Sequence, residues 1–161
     1  MNERVLGIDP GTAVTGYGVV ERSPRAAGIL IECGVIRTPA RAELATRLQH
    51  LYTEVVALIA GHEPQVVSVE STFYAKNVRT TVSLSHARGV ILLAAAQAGV
   101  QIAEFAPAAV KKTVVGRGQA DKDQIGYMVM QLLRLREQPS PHDAADGIAL
   151  ALTYILTSAR P

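Results

Sequence analysis

The chain contains one cysteine, Cys33, no tryptophan, two phenylalanines and five tyrosines in 161 residues. A lone cysteine excludes an internal disulfide, so the fold must rest on its apolar core, and this usage suits a reducing cytosol. Long apolar runs are also missing. The longest, at 90–96 and 148–152, fall far short of the ~20 residues a membrane-spanning helix requires. The opening Met-Asn-Glu-Arg mixes charges and leads into a short apolar stretch, unlike a secretory signal. These absences predict a soluble, cytoplasmic protein with no membrane partner. Internal repeats and low-complexity tails are absent as well. With 48% hydrophobic residues, the length suits one domain over 1–161 with a full core and leaves little room for a second.

Net charge is low, +2, and its distribution is more informative than its size. Between residues 71 and 122, seven cations (Lys76, Arg79, Arg88, Lys111, Lys112, Arg117 and Lys122) face two acids, Glu104 and Asp121. A basic middle segment around an acidic centre suits a polyanion held beside metal ions, although a solvated charged surface has the same composition.

Hydrophobic periodicity orders the elements. Strands are expected at 4–9, 15–21 and 29–38, the first two joined at Pro10-Gly11, as an antiparallel meander. Leu44, Leu48, Leu51, Val55, Leu58 and Ile59 recur at helical spacing within 42–62, and Gly61 and Pro64 close that helix. A strand follows at 66–70. A strand–helix–strand connection runs right-handed and parallel, so this strand can lie beside the first. A long helix at 78–98, rich in small residues, precedes a fifth strand at 101–105. Pro107 opens a short helix to 114. After the glycine-containing basic loop 115–120, Asp121 caps a helix to about 135, and Pro141 opens the last, to about 158. The order β-β-β-α-β-α-β-α-α-α predicts an α/β fold: a mixed five-stranded sheet flanked by helices.

Four acids stand where elements begin or end. Asp9 ends the first strand and Glu70 the fourth, while Asp143 and Asp146, three apart, share a face at the start of the last helix. Taken singly, Asp9 can be a turn residue, and the helix acids can be caps favoured by the macrodipole. Glu70, ending an apolar strand, is costly to bury without a partner. Taken together they predict one carboxylate cluster, which resists ionisation unless a cation sits among its members. Magnesium or manganese, which take oxygen ligands, suit it.

Several blocks resemble a known family. They are Gly-Ile-Asp-Pro-Gly-Thr at 7–12 with Thr-Gly-Tyr-Gly-Val at 15–19, and Val-Glu at 69–70 with Phe-Tyr-Ala-Lys-Asn at 73–77. Ala-Arg-Gly-Val at 87–90 comes next, then Val-Lys-Lys-Thr-Val-Val-Gly-Arg-Gly-Gln-Ala-Asp-Lys at 110–122, and His-Asp-Ala-Ala-Asp-Gly-Ile-Ala at 142–149. In this order and spacing they resemble the RuvC family of bacterial Holliday-junction resolvases, in the ribonuclease H-like superfamily. The resemblance implies a metal-dependent endonuclease that resolves four-way DNA junctions by paired symmetric nicks. It implies Asp9, Glu70, Asp143 and Asp146 as ligands of two Mg²⁺ ions, with Mn²⁺ an alternative, and Lys111 and Lys122 as active-site lysines. Members vary at the third acid, some having His; here His142 precedes Asp143, and the spacing to Asp146 favours Asp143, leaving His142 as an early-helix neighbour and the second candidate. Phe73 falls on the family's aromatic that wedges among bases; a plug under its own loop is the other role open to it. Tyr74, Lys76, Asn77, Arg79, Lys112 and Arg117 complete the expected DNA surface. Where members often carry Gln after the catalytic Glu, this chain has Ser71-Thr72. A homodimer and a branch-migration helicase partner are implied too. Asp-Pro-Gly-Thr with Thr-Gly-Tyr-Gly also resembles the first phosphate loop of actin-like and sugar-kinase ATPases, whose second domain would find little room here.

Overall fold

Period-two alternation decides which side of each strand meets which helix. In β1 (Arg4–Asp9), Val5 lies on one face and Leu6 and Ile8 on the other; in β4 (Val66–Glu70), Val66 lies on the first face and Val67 and Val69 on the second. The computed structural model describes residues 3–71 and 77–158, apart from the side chain of Lys122. The remaining strands are β2 (Val14–Glu21), β3 (Ile29–Arg37) and β5 (Gln101–Phe105), and the sheet order is β3-β2-β1-β4-β5. β1, β2 and β3 pair antiparallel, whereas β4 joins β1, and β5 joins β4, in parallel. The mixed α/β sheet is thus the expected one, with five helices flanking it.

The helices divide between the two faces. α1 (Leu44–His62) and α2 (Val78–Gln97) cover the face of Leu6, Ile8, Val67 and Val69 through Leu51, Val55, Ile59, Ala87 and Ile91. α3 (Pro107–Val115), α4 (Lys122–Leu132) and α5 (His142–Thr157) cover the face of Val5, Val20 and Val66. α5 is buried at nearly every position from Ala144 to Ile155, as befits a helix apolar all round. No helix among the described residues is long and apolar enough to cross a membrane.

Glycines let α5 lie on the sheet. A Cβ at Gly147 would stand 2.5 Å from Tyr17 Cα, and one at Gly16 would overlap the carbonyl of Asp143. Glycine inside a strand marks such a close approach of another backbone. Boundaries differ from the sequence pattern by a few residues. β3 ends at Arg37: Thr38 N–H still donates to Ala13 O at 3.1 Å and its hydroxyl to the carbonyl of Thr12, but Pro39, with no N–H, cannot continue the ladder. α1 begins at Leu44 because Ala42 N–H closes a turn onto Pro39 O, 3.1 Å away. α4 opens with the expected Asp121 cap, a capping box with Gln124, but stops at Leu132 as Arg134 enters the left-handed region at φ 54°.

Candidate active site

Alternation along β1 places Asp9 on the same face as Val5, the face that α5 covers. The same count along β4 places Ser68 and Glu70 there, and Ser68 Oγ donates to Leu150 O of α5 at 2.8 Å. Because β1 and β4 run parallel with Ile8 opposite Val69, Asp9 and Glu70 come to one end of the sheet. α5 begins over that end. The result is a cluster in which one carboxylate oxygen each from Asp9, Asp143 and Asp146 lie within 4.8 Å of one another, all three residues half-buried.

Glu70 stands at the rim of this group rather than within it. It shares with Asp9, Asp146 and Lys111 the lining of a cavity of about 510 Å³, between the sheet end and α3, α4 and α5. Burial raises the Glu70 pKa above the ordinary carboxylate range; the charge of Asp146 raises it further, and Lys111 acts in the opposite sense. Three acids with a fourth beside them make an all-oxygen donor set whose charges repel when alone, and a hard divalent cation answers both features.

A raised carboxylate pKa carries a definite sign. The charge of Glu70 disfavours the metal-free fold, and this penalty grows as pH rises from the unfolded pKa through the folded one. In chelator at pH 7.5, Glu70→Gln should therefore raise Tm by about 2–4 °C, what ~1 kcal/mol gives a chain of this size. Near pH 4, with both side chains neutral, the increment should vanish. A thermal melt at the two pH values checks this.

The family model for crossover junction endodeoxyribonuclease RuvC matches residues 5–154. The chain belongs to the RuvC family. A RuvC of Pelotomaculum thermopropionicum is 47% identical over 150 residues, spanning 93% of this chain and 91% of that protein. Among solved structures, Thermus thermophilus RuvC superposes with a TM-score of 0.86 at 32% identity, over 95% of this chain and 93% of that one. A second structure, T. thermophilus RuvC in complex with Holliday junction substrate, gives 0.85 at 29% identity, with the same coverage. Membership in the RuvC family, with a carboxylate cluster of this composition, points to divalent-metal dependence.

The other RuvC-like positions are distributed as follows. Lys111 of α3 faces the cavity with the acids. Arg117 lines, with Lys111, Asp121 and Gln124, a neighbouring open depression; Lys112 is exposed beside it. Lys122 is the first residue of α4, and its side chain lies outside the described residues. Asn77 caps α2 by accepting from Arg79 N at 2.9 Å, and both residues are exposed. Phe73, Tyr74 and Lys76 lie outside the described residues. His142 points toward Asp123, 3.9 Å away on α4, and is 60% exposed; Asp143, not His142, joins the acid cluster.

Sequence reasoning missed the residues that hold the turn after Asp9. Arg47 of α1 donates to Thr12 O at 2.7 Å and to Thr38 Oγ1 at 3.1 Å, and Thr12 Oγ1 meets Ser83 Oγ of α2 at 2.8 Å. Nothing in the spacing of these residues announces the contacts. The strand glycines were a readable signal for the approach of α5, but did not identify the helix.

Proposed function

We propose that this chain is a metal-dependent endonuclease that resolves four-way DNA junctions by paired nicks, during recombination and repair, and that residues 1–161 act as a single nuclease domain. The observation that carries the reading is the convergence of Asp9, Asp143 and Asp146 within 4.8 Å, in a chain matched by the RuvC model from 5 to 154. Asp9, Asp143 and Asp146, with Glu70 beside them, would hold two Mg²⁺ ions, or Mn²⁺. Bound there, divalent metal supplies Lewis acidity toward a phosphoryl oxygen and a water of lowered pKa.

The protein's own groups account for the rest. Four acids alone would repel a phosphodiester; Lys111, facing the same cavity, offsets phosphate charge as the strand settles, and Lys122 adds a second cation. Lys112, Arg117, Lys76, Asn77 and Arg79 extend a basic track for the arms of the junction, whose affinity falls with salt as phosphates exchange counterions for side chains. Phe73, with Tyr74 next to it, stacks on bases at the junction centre, a contact worth ~1–3 kcal/mol per base. A junction has near-twofold symmetry and needs two opposed cuts, which a C₂ homodimer supplies. Val78, Val82 and Leu93, exposed on α2, and Gly89, with open space beyond its Cα, suit a helix that meets its copy. A branch-migration helicase fits as the motor partner.

The test is cleavage of a mobile four-way junction beside linear duplex and an RNA hairpin, with and without magnesium. Symmetric nicks on the junction alone, only with metal, are expected; equal cutting of linear duplex would sink the reading. Solution mass at micromolar concentration should be about twice 17.1 kDa, and a stable monomer that still makes paired cuts would remove the dimer.

A further inference from the structure

The family blocks include Arg88, in Ala-Arg-Gly-Val, with no role attached. Thr81, Ser85 and Arg88 recur at i, i+4 and i+7, so they share one face of α2. That face walls a second cavity, of about 200 Å³, whose other lining includes Asp9, Glu70 and Ser71. It opens on the α2 side of the strand ends, across the sheet from the Lys111 cavity.

Arg88 is more than lining. Its Nε donates to the backbone carbonyl of Glu70 at 3.1 Å, while its Nη2 pairs with the Glu104 carboxylate on β5. The Arg88 side chain is mostly shielded, at 18% exposure, and two of its guanidinium nitrogens bond to protein. The next amide, Ser71 N–H, donates to Phe105 O at 2.9 Å. Glu70 is the last residue of β4, where a strand would ordinarily fray, yet its peptide is held from two sides. A carboxylate serving a metal site must keep its place within ~0.5 Å. A planar guanidinium reaches a carbonyl and a carboxylate together, which a lysine ammonium matches poorly.

We propose that Arg88 is a positioning residue for Glu70: anchored on Glu104, it holds the Glu70 carbonyl from α2 and so sets the direction in which that carboxylate enters the metal site. This rests on the reading of Glu70 as a metal-holding acid. Arg88 acts through the backbone of Glu70 and does not touch DNA.

The experiment compares Arg88→Gln, Arg88→Lys and Glu104→Gln with Glu70→Gln, all in the full chain. It measures Mn²⁺ binding by calorimetry without DNA, the Mg²⁺ concentration for half-maximal nicking, and junction affinity in chelator against salt. Arg88→Gln should weaken Mn²⁺ binding about 10-fold, the scale on which partners behind a metal ligand act, and raise the Mg²⁺ midpoint similarly. Junction affinity and its salt slope should stay at parent values. Arg88→Lys and Glu104→Gln should shift the metal midpoint in the same direction by less, and they carry the test if Arg88→Gln does not fold. Unchanged Mn²⁺ binding in folded Arg88 variants, with Glu70→Gln defective, overturns the proposal alone. So does weaker junction binding with a shallower salt slope and an unmoved metal midpoint, which would make Arg88 a phosphate contact. Parent-like Mn²⁺ binding by Glu70→Gln overturns the reading of Glu70 itself, and the proposal with it.

Discussion

Asp9→Asn should fold, bind the four-way junction, and nick it about 10³-fold or more slowly than the parent chain in magnesium. The amide keeps the size of the side chain and one acceptor oxygen, so the end of β1 and its pairing with Gly16 of β2 have no reason to change. What goes is one of the three acids that meet within 4.8 Å, and with it a charged oxygen ligand. Metal at such a site supplies several kcal/mol of transition-state stabilisation, and each ~1.4 kcal/mol lost is a factor of ten in rate. Asp146→Asn should behave alike, because its carboxylate belongs to the same cluster and faces the same cavity. Binding should hold or tighten, since one negative charge near the phosphates is gone. Single-turnover nicking and junction affinity in chelator, read on the same preparation, check both halves. A folded Asp9→Asn protein cutting at the parent rate would remove Asp9 from the site and break the central claim.

A large loss of stability is expected from a single methyl group on α5. A Cβ at Gly147 would stand 2.5 Å from Tyr17 Cα and 2.6 Å from its carbonyl carbon, well inside contact distance. The obstacle is strand backbone, which has no rotamer to offer, so α5 must lift from β2. Gly147→Ala should therefore lose about 3 kcal/mol, the upper end for overpacking, out of the ~5–15 that hold a typical domain. Asp143 and Asp146 ride on the same helix, so any folded fraction should also cut poorly. Gly61→Ala is the control: nothing lies within 4 Å of its Cβ position, and removing a helical glycine should gain ~0.5–1 kcal/mol. Denaturant unfolding of the two variants decides the matter. If Gly147→Ala stays within ~0.5 kcal/mol of the parent, α5 does not rest on β2 as described.

Much of the site was legible because it follows short-range rules. Alternation and apolar runs marked the strands, and their ends pointed to Asp9 and Glu70. Helical spacing put Asp143 and Asp146 on one face, and a strand–helix–strand unit suggested β4 beside β1. Boundaries slipped by a few residues, as at Thr38, Ala42 and Arg134. The motif blocks then pointed to the family without any coordinates. The spacing to Asp146 favoured Asp143 over His142, and Asp143 does join the acids; the expected four-acid cluster instead brings together Asp9, Asp143 and Asp146, with Glu70 at their rim. The place of Glu70 cannot be read from spacing, because it depends on how α5 is rotated over the strand ends. Glycines 7, 16, 18 and 147 set that approach by admitting backbone against backbone. The supports behind the site belong wholly to the tertiary structure. Arg88 lies eighteen residues from Glu70 and Arg47 thirty-five from Thr12; no local pattern links such pairs, and they meet because α2 and α1 pack on the same face of the sheet.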